Sequence, residues 1–360
     1  MKRKTRIALV TSGGDCQGLN AAIRGVGKAL FQYVDNIEIF GMYDGYRGLI
    51  ENDYKFMEPS DFSGIIATGG TILGTSRQPF KTIRVIDENS VDKVKSMKEN
   101  YKKMKLDCLV ILGGNGTQKT ANLLSQEGLN VIHLPKTIDN DIWGTDVTFG
   151  FHSAVEIATN VIDCIHTTAT SHGRIFIVEV MGHKVGWLTL SAGIAGGADV
   201  ILLPEIPYDI DKVAKCLNDR IKKGKKFSIL AVAEGAISKE EAALTKKERK
   251  KARENFPHPS IVYRIAEELA RKIDNEIRVC VPGHFQRGGS PCAYDRVLCT
   301  RLGATAARFI KEKTFGVMVG MVGGQCVPVP LAEVAGKLKS VPVDCDEIKA
   351  ARQIGISFGD

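Results

Sequence analysis

No apolar run in this sequence of 360 residues approaches the roughly 20 that a membrane span needs, so a membrane partner is not expected. The opening Met-Lys-Arg-Lys-Thr-Arg leads straight into the apolar run Ile7–Val10, without the longer apolar region and small-residue cleavage site of a signal peptide. A cytoplasmic location is expected. There is no Cys-x-x-Cys pair, and the nine cysteines are an odd number, which argues against a disulfide framework. Cys108 and Cys280 sit inside strand-like runs, and the set reads as reduced, mostly buried thiols. Helix-turn-helix, zinc-finger and RNA-binding aromatic patterns are also missing, so the net charge of +8 is not read as a nucleic-acid footprint. Between Lys239 and Glu254 lie seven Lys/Arg and four Asp/Glu, which puts +3 of the excess in one helix-like surface segment. Other cations sit beside glycine motifs, as a site for anionic metabolites needs. Heptads and short-period repeats are absent.

What is present is an alternation of strand-length and helix-length segments. The spacing predicts strands at Ile7–Val10, Ile37–Met42, Cys108–Leu112, Val131–Leu134, Ile175–Val180, Val200–Leu203, Ser228–Val232 and Arg278–Val281. Helices are predicted at Leu19–Gln32, Thr117–Gln126, Ser153–His166, Pro259–Arg271 and Tyr294–Glu312. Near-continuous apolar strands alternating with helices imply parallel sheets covered on both faces. Ser238–Glu254 interrupts the pattern and reads as an exposed insertion.

The run Pro135-Lys136-Thr137-Ile138-Asp139-Asn140-Asp141 follows the apolar segment Leu129 to Leu134. Two carboxylates that close repel, so a site holding both has a task for each. One accepts a proton from a hydroxyl while the other holds a metal or orients its neighbour. An isolated Asp-Asn-Asp also reads as a capping turn, and its company decides. Ser12-Gly13-Gly14-Asp15-Cys16-Gln17-Gly18-Leu19-Asn20 joins a strand to a helix, where glycines let amides and a helix N-terminus face a phosphate. Its spacing is neither G-x-G-x-x-G nor a Walker loop. Gly113-Gly114-Asn115-Gly116-Thr117 repeats that logic, and Gly69-Gly70-Thr71-Ile72-Leu73-Gly74-Thr75-Ser76-Arg77 supplies a third loop ending in an arginine. Gly283-His284-Phe285-Gln286-Arg287-Gly288-Gly289 is a fourth. Each is expected directly after a strand, at the sheet edge where ligands bind. Together they point to phosphoryl transfer.

These motifs, with Met181-Gly182, Ala233-Glu234 and Gly283–Pro291, occur in the order and approximate spacing of the 6-phosphofructokinase family, which the chain resembles from Ile7 to beyond Arg301. The resemblance implies that Asp139 is the general base on the sugar 1-hydroxyl, with Thr137 beside it and Asp141 nearby. Lys136 is accommodated as a further cation near the phosphates. Arg174 and Met181-Gly182-His183 are expected along fructose 6-phosphate, and Glu234 at its hydroxyls. Arg278, His284 and Arg287 are expected on the 6-phosphate. Gly14, Arg77, Gln78, Gly114, Asn115, Gly116 and Thr117 are expected to cradle ATP, with Mg²⁺ at Asn115 and Asp141. Arg24, Lys223 and Lys225 match cationic positions that bind phosphorylated effectors between subunits. In the family some arginines reach over from a neighbouring subunit, so a homotetramer with shared sites is expected. The chemistry agrees: phosphoryl transfer needs alignment and charge neutralisation, and a forked guanidinium suits a phosphate dianion.

Three departures from the family pattern bear on the donor. Asn115 stands where an aspartate near the metal is typical, and an amide oxygen is a poorer ligand for a hard cation. Lys136 stands where many ATP-using members have glycine, and lysine there is typical of pyrophosphate-using relatives. Gly116 stands where those relatives carry an aspartate that excludes the nucleotide. The expected fold is α/β, with two Rossmann-like three-layer lobes of mainly parallel sheets and the active site in the cleft between them. Expected boundaries are 1–137 for the donor lobe, 138–310 for the sugar-phosphate lobe with an insertion at about 237–257, and 311–360 returning to the first lobe. ATP-dependent 6-phosphofructokinase activity is the reading. A pyrophosphate-dependent enzyme, or a catalytically weak ligand-binding paralogue suggested by Asn115, stands as the alternative. A nicotinamide oxidoreductase lacks its glycine turn and acidic partner.

Overall fold

The computed structural model describes residues 3–86, 91–254 and 256–360. Met1 and Lys2 of the opening cationic run, and Asn255 inside the expected insertion, lie outside the described residues. In chain order the elements are β1 (Thr5–Ser12), α1 (Leu19–Tyr33), β2 (Ile37–Met42), α2 (Tyr46–Glu51), β3 (Tyr54–Met57), α3 (Lys93–Lys103), β4 (Cys108–Gly113), α4 (Asn115–Gln126), β5 (Val131–Pro135) and α5 (Phe151–His172). There follow β6 (Ile175–Val180), α6 (Trp187–Ala195), β7 (Val200–Leu202), α7 (Ile210–Lys222), β8 (Ser228–Ala233), α8 (Lys239–Ala243), α9 (Lys246–Glu254) and α10 (Ile261–Ala270). The chain continues through β9 (Ile277–Cys280), α11 (Ala293–Glu312), β10 (Val317–Val322), β11 (Gln325–Pro330), α12 (Leu331–Val334) and α13 (Asp346–Gln353). It divides into two compact units, residues 1–153 with 287–338, and residues 154–286 with 339–360.

The first unit is built on a seven-stranded sheet of order β11-β10-β5-β4-β1-β2-β3. Its interior pairs are parallel, and only the edge strands β3 and β11 run antiparallel. β4, Cys-Leu-Val-Ile-Leu-Gly, is buried at every position, which is why it reads as an unbroken apolar run. Ala8, Val10, Leu109, Ile111 and Met318 join Leu123 and Leu124 of α4 in one core cluster. α1 and α11 meet backbone to backbone: a Cβ on Gly303 would lie 2.5 Å from the Val26 nitrogen, so only glycine permits the approach. Ser12 is in register with Gly113, and Gly113 with Pro135. Three neighbouring strands therefore end level with one another, where the strand order reverses about β1.

The second unit carries a four-stranded, wholly parallel sheet of order β7-β8-β6-β9. Ile177, Leu202, Leu230 and Val232 pack with Val213 and Leu217 of α7 and Ile265 and Leu269 of α10.

Four expectations change. Residues 311–360 do not return as one piece to the first unit. Residues 339–360 pack with the second, because Ser357 accepts from the Ile201 amide and donates to the Asp199 carbonyl, and Phe358 is fully buried. The boundaries expected at 137 and 310 lie at 153 and 286 by contact, with β10 and β11 completing the first sheet. The loop Gly69–Arg77 follows 3-10 turns instead of a strand. The nine free thiols are mostly not buried: only Cys16, Cys108 and Cys299 are.

Candidate active site

Three level strand ends in the first unit carry Gly13-Gly14 after β1, Gly114 after β4 and Lys136 after β5. Gly13 has φ +91°, which turns the chain out of the strand, and Gly18 at φ +94° lets it enter α1. The loop 68–76 is stapled over this turn. The Gly13 amide donates to the Ser76 carbonyl at 3.1 Å, and the Thr75 hydroxyl to the Gly13 carbonyl at 2.7 Å. Asn20, fully buried, donates to the carbonyls of Thr68 and Gly69 and accepts from the Ile72 amide. It is the clamp that fixes the third glycine loop, a role the sequence motif held without disclosing.

Gly14 is the focus of positive charge. A Cβ built there would lie 3.2 Å from Arg287 Nη1 and 3.7 Å from Arg77 Nη2, so bare backbone lets both guanidiniums approach. Lys136 Nζ donates to the Gly14 carbonyl. This lysine is only 4 % exposed, and burial together with the Arg287 charge pulls its pKa down, while Cys16, Asp139 and Asp141 raise it. Cys16 offers no nucleophile: burial, only partly offset by Lys136, pushes its thiol up to about 12. Gln78 follows Arg77 on the same loop, half-buried.

Arg287 belongs here. Its Nη1 donates to the Asp15 carbonyl at 3.1 Å, and the adjoining Gly288 carbonyl accepts from Gln17 Nε2 at 2.7 Å. Arg287 groups by contact with the first unit, and Arg278 and His284 with the second. The Gly69 loop holds the 287–289 segment in the first unit, with a Cβ on Gly69 only 2.4 Å from the Gly289 carbonyl.

The helix α4 opens at Asn115 with no side-chain cap, leaving its first-turn amides toward the strand ends. Gly116 has open space: a Cβ there meets nothing within 4 Å. Thr117 carries a structural contact within the first unit. Its side chain is buried and its hydroxyl donates to the Ser12 carbonyl at 3.2 Å, so it fastens α4 to β1. Asn115 Nδ2 donates to Asp141 Oδ2 at 2.6 Å and to the Asp141 carbonyl at 3.3 Å, while its Oδ1 is buried with no hydrogen-bond partner.

Asp139 is half-buried and Asp141 is 9 % exposed. The Asp139 amide donates to Thr137 Oγ1 at 3.1 Å, closing a two-residue turn that aims the aspartate. Asn140 sits at φ +53°, with its Oδ1 accepting from the Thr148 amide, and Thr148 Oγ1 donates to the Thr137 carbonyl at 2.7 Å. The Asp-Asn-Asp run is thus pinned on both flanks, with the asparagine serving the backbone.

In the second unit, Met181-Gly182-His183 follows β6, Glu234 follows β8 and His284 follows β9. Glu234 Oε1 accepts from the amides of Gly182 (3.2 Å) and His183 (2.7 Å), so this carboxylate shapes the turn. Gly182 has φ +147° and His183 φ +53°. Buried Gln286, absent from the expected set, accepts from the Met181 amide at 3.1 Å. Arg174 and Arg278 are at the opposite edge of the same sheet, at the amino ends of β6 and β9, both paired with Glu276. β6 separates the two edges by roughly 20 Å at about 3.3 Å per residue. Glu276 has its pKa lowered, first by the hydrogen bond from Arg174. Of the effector candidates, Arg24 is half-buried on α1 of the first unit, whereas Lys223 and Lys225 are exposed at the end of α7 in the second.

The phosphofructokinase family matches residues 6–310 of the chain. An ATP-dependent 6-phosphofructokinase of Spirochaeta thermophila is 55% identical over 98% of this chain and 97% of its own. One from Propionibacterium freudenreichii is 48% identical over 99% of both. Among solved structures, Pichia pastoris phosphofructokinase in the T-state shares 33% identity with a TM-score of 0.79 over 93% of this chain, which spans 36% of that one. A pyrophosphate-dependent phosphofructokinase from Nitrosospira multiformis, at 20% identity and TM-score 0.80, shares the fold. The chain belongs to the phosphofructokinase family.

Proposed function

We propose that the protein is an ATP-dependent 6-phosphofructokinase, transferring the terminal phosphoryl group of ATP to the 1-hydroxyl of fructose 6-phosphate. The observation that carries the reading is the convergence on Gly14: two guanidiniums, one buried ammonium and the level strand ends make a cradle for a polyphosphate beside a pinned aspartate. The two relatives at 55% and 48% identity, both ATP-dependent 6-phosphofructokinases, support ATP as donor. Asp139, held by Thr137, takes the hydroxyl proton as the sugar oxygen attacks. Lys136, Arg77 and Arg287 offset charge on the transferring group. Met181–His183 and Glu234 line the sugar, and His284 its phosphate.

For Mg²⁺ the residues present fit a site of few protein ligands. The orphaned Oδ1 of Asn115 adjoins the Asp141 carboxylate, while no group of three or more His, Cys, Asp or Glu among the described residues forms a metal cage. Mg²⁺ held there by Asn115, Asp141, donor phosphates and water would neutralise phosphate charge.

Arg174 and Arg278 stand at the wrong edge of their own sheet to serve Glu234 and His183 of the same subunit. They serve a neighbouring copy, in a cytoplasmic homotetramer whose sugar sites are shared. No helix among the described residues is long and apolar enough to cross a membrane. A coupled assay for fructose 1,6-bisphosphate, run in parallel with Mg-ATP and with pyrophosphate, tests the proposal. Product formation with ATP is expected; turnover with pyrophosphate alone would overturn the donor, and none with either would overturn the activity.

A further inference from the structure

Between the Met181-Gly182-His183 turn and α6 lie only Lys184, the fully buried Val185 and Gly186, the residue that precedes the helix. The Val185 amide donates to the Gly182 carbonyl at 3.1 Å, and a Cβ on Gly182 would lie 2.6 Å from the Val185 carbonyl. Turn and helix start are therefore one tight piece of backbone. Its Gly182 at φ +147° and His183 at φ +53° are in sparsely populated conformations, which persist only where the surroundings over-determine them. Glu234 restrains the start of the piece through the amides of Gly182 and His183.

Glu205, just after β7, restrains its end. Glu205 Oε1 accepts from the Gly186 amide and from the Val341 amide, both at 3.0 Å. Its Oε2 is buried without a hydrogen-bond partner among the described residues, and a Cβ on Gly186 would stand 2.8 Å from it. Burial pushes the carboxyl's pKa up, and the amides of Val341 and Gly186 work against that. The side chain is thus kept where burial disfavours its charge, and what it does there is join two stretches of chain far apart in sequence. Trp187 repeats the connection. Its indole Nε1 donates to the Lys339 carbonyl at 2.9 Å, and Lys339 Nζ lies 5.5 Å from its ring centroid. Lys339–Val341 begins the C-terminal segment of the second unit, and Ser357 and buried Phe358 fix the other end of that segment beside β7. A strap anchored at both ends gives the turn something firm to lean on.

We propose that Glu205 is a positioning residue for the sugar phosphate, bracing the Gly182–Gly186 piece against the C-terminal strap at Val341. Glu234 sets where the turn starts and Glu205 where it ends, and the backbone between them is held ready for the ligand. The inference rests on the proposed function in one respect, that Met181–His183 line the sugar.

Steady-state kinetics of three variants, with amide hydrogen exchange beside them, test it. Glu205→Ala leaves two buried amides without their acceptor, while Trp187 still holds the strap. KM for fructose 6-phosphate should rise about tenfold, with kcat and KM for ATP within about twofold of the parent. Glu205→Gln keeps an acceptor oxygen and should return KM to within about threefold of the parent. Gly186 has φ −98°, open to any residue, so Gly186→Ala disturbs only the Glu205 carboxylate and should reproduce the Glu205→Ala effect. Exchange at the amides of His183, Lys184 and Val185 should quicken in Glu205→Ala and stay unchanged in β4 of the first unit. A parallel fall in kcat, loss of both KM values and faster exchange in β4 would make the effect general destabilisation and overturn the proposal. So would an unchanged KM with unchanged exchange, or a Glu205→Gln protein no better than Glu205→Ala. A parent that makes no fructose 1,6-bisphosphate would sink the proposed function, and the exchange data would then decide the brace alone.

Discussion

At the scale of single residues, the proposed function rests its chemistry on Asp139 and its donor choice on Gly116. Asp139→Asn preserves the turn that Thr137 closes, because the hydrogen bond uses the backbone amide, and removes only the proton acceptor. A fall in kcat of roughly 10²–10⁴ is expected with KM for fructose 6-phosphate little changed, and steady-state kinetics decide it. Gly116→Asp is informative because the position has room. A carboxylate there repels a nucleotide α-phosphate without straining the helix, so ATP use should fall sharply while Tm stays put. A drop in Tm alongside activity would mean the effect is packing, and Gly116 would lose its role in donor choice.

At the scale of elements, buried hydrogen bonds hold the loops that the site depends on. Asn20→Ala leaves two carbonyls and an amide without their partner, at a cost of about 1–3 kcal/mol in denaturant unfolding, and should raise KM for the donor. Glu241 gives a pH signature. Burial raises its pKa, but the hydrogen bonds from Arg264 and Arg253 outweigh it and hold the carboxyl at about 2, below its ordinary 4.5. The native state thus favours the charged form, so its stabilisation is full above pH 4.5 and is lost as pH falls toward about 2. Glu241→Gln should be less stable at neutral pH and show a shallower loss between pH 5 and about 2 than the parent, in unfolding followed against pH. The sequence disclosed those elements buried at all or nearly all positions. β4, β6 and β8 read as apolar runs because helices cover both faces. It hid α3, with only Val94 and Met97 buried in a lysine-rich face, and β11, an edge strand whose Pro328 and Pro330 argue against a strand. The placement of Gly13, Gly14, Gly114 and Lys136 was legible because each directly follows a strand. The placement of Arg287 was not, since it depends on which segment packs over Gly69, nor was Glu276, whose meaning comes only from two arginines on adjacent strands.

At the scale of the whole molecule, Arg174 and Arg278 lie at the amino edge of a sheet whose carboxyl edge carries Glu234, and this makes a subunit-mixing experiment decisive. Arg278→Ala and Asp139→Asn proteins, each inactive alone, should regain activity when dissociated and reassembled together, with about a quarter of the sites intact in a random mixture. No recovery in verified mixed oligomers would assign both residues to one subunit's site. The pairing of Ser357 beside β7 has a further consequence for how the protein is made. Both units are discontinuous, so β6, β7 and β8 emerge from the ribosome well before the segment that borders β7 exists. At roughly 5–20 residues per second that interval is on the order of 10 s, during which an unsatisfied strand edge must wait. The border of β7 is therefore expected to stay open in the nascent chain until Ser357 and Phe358 arrive.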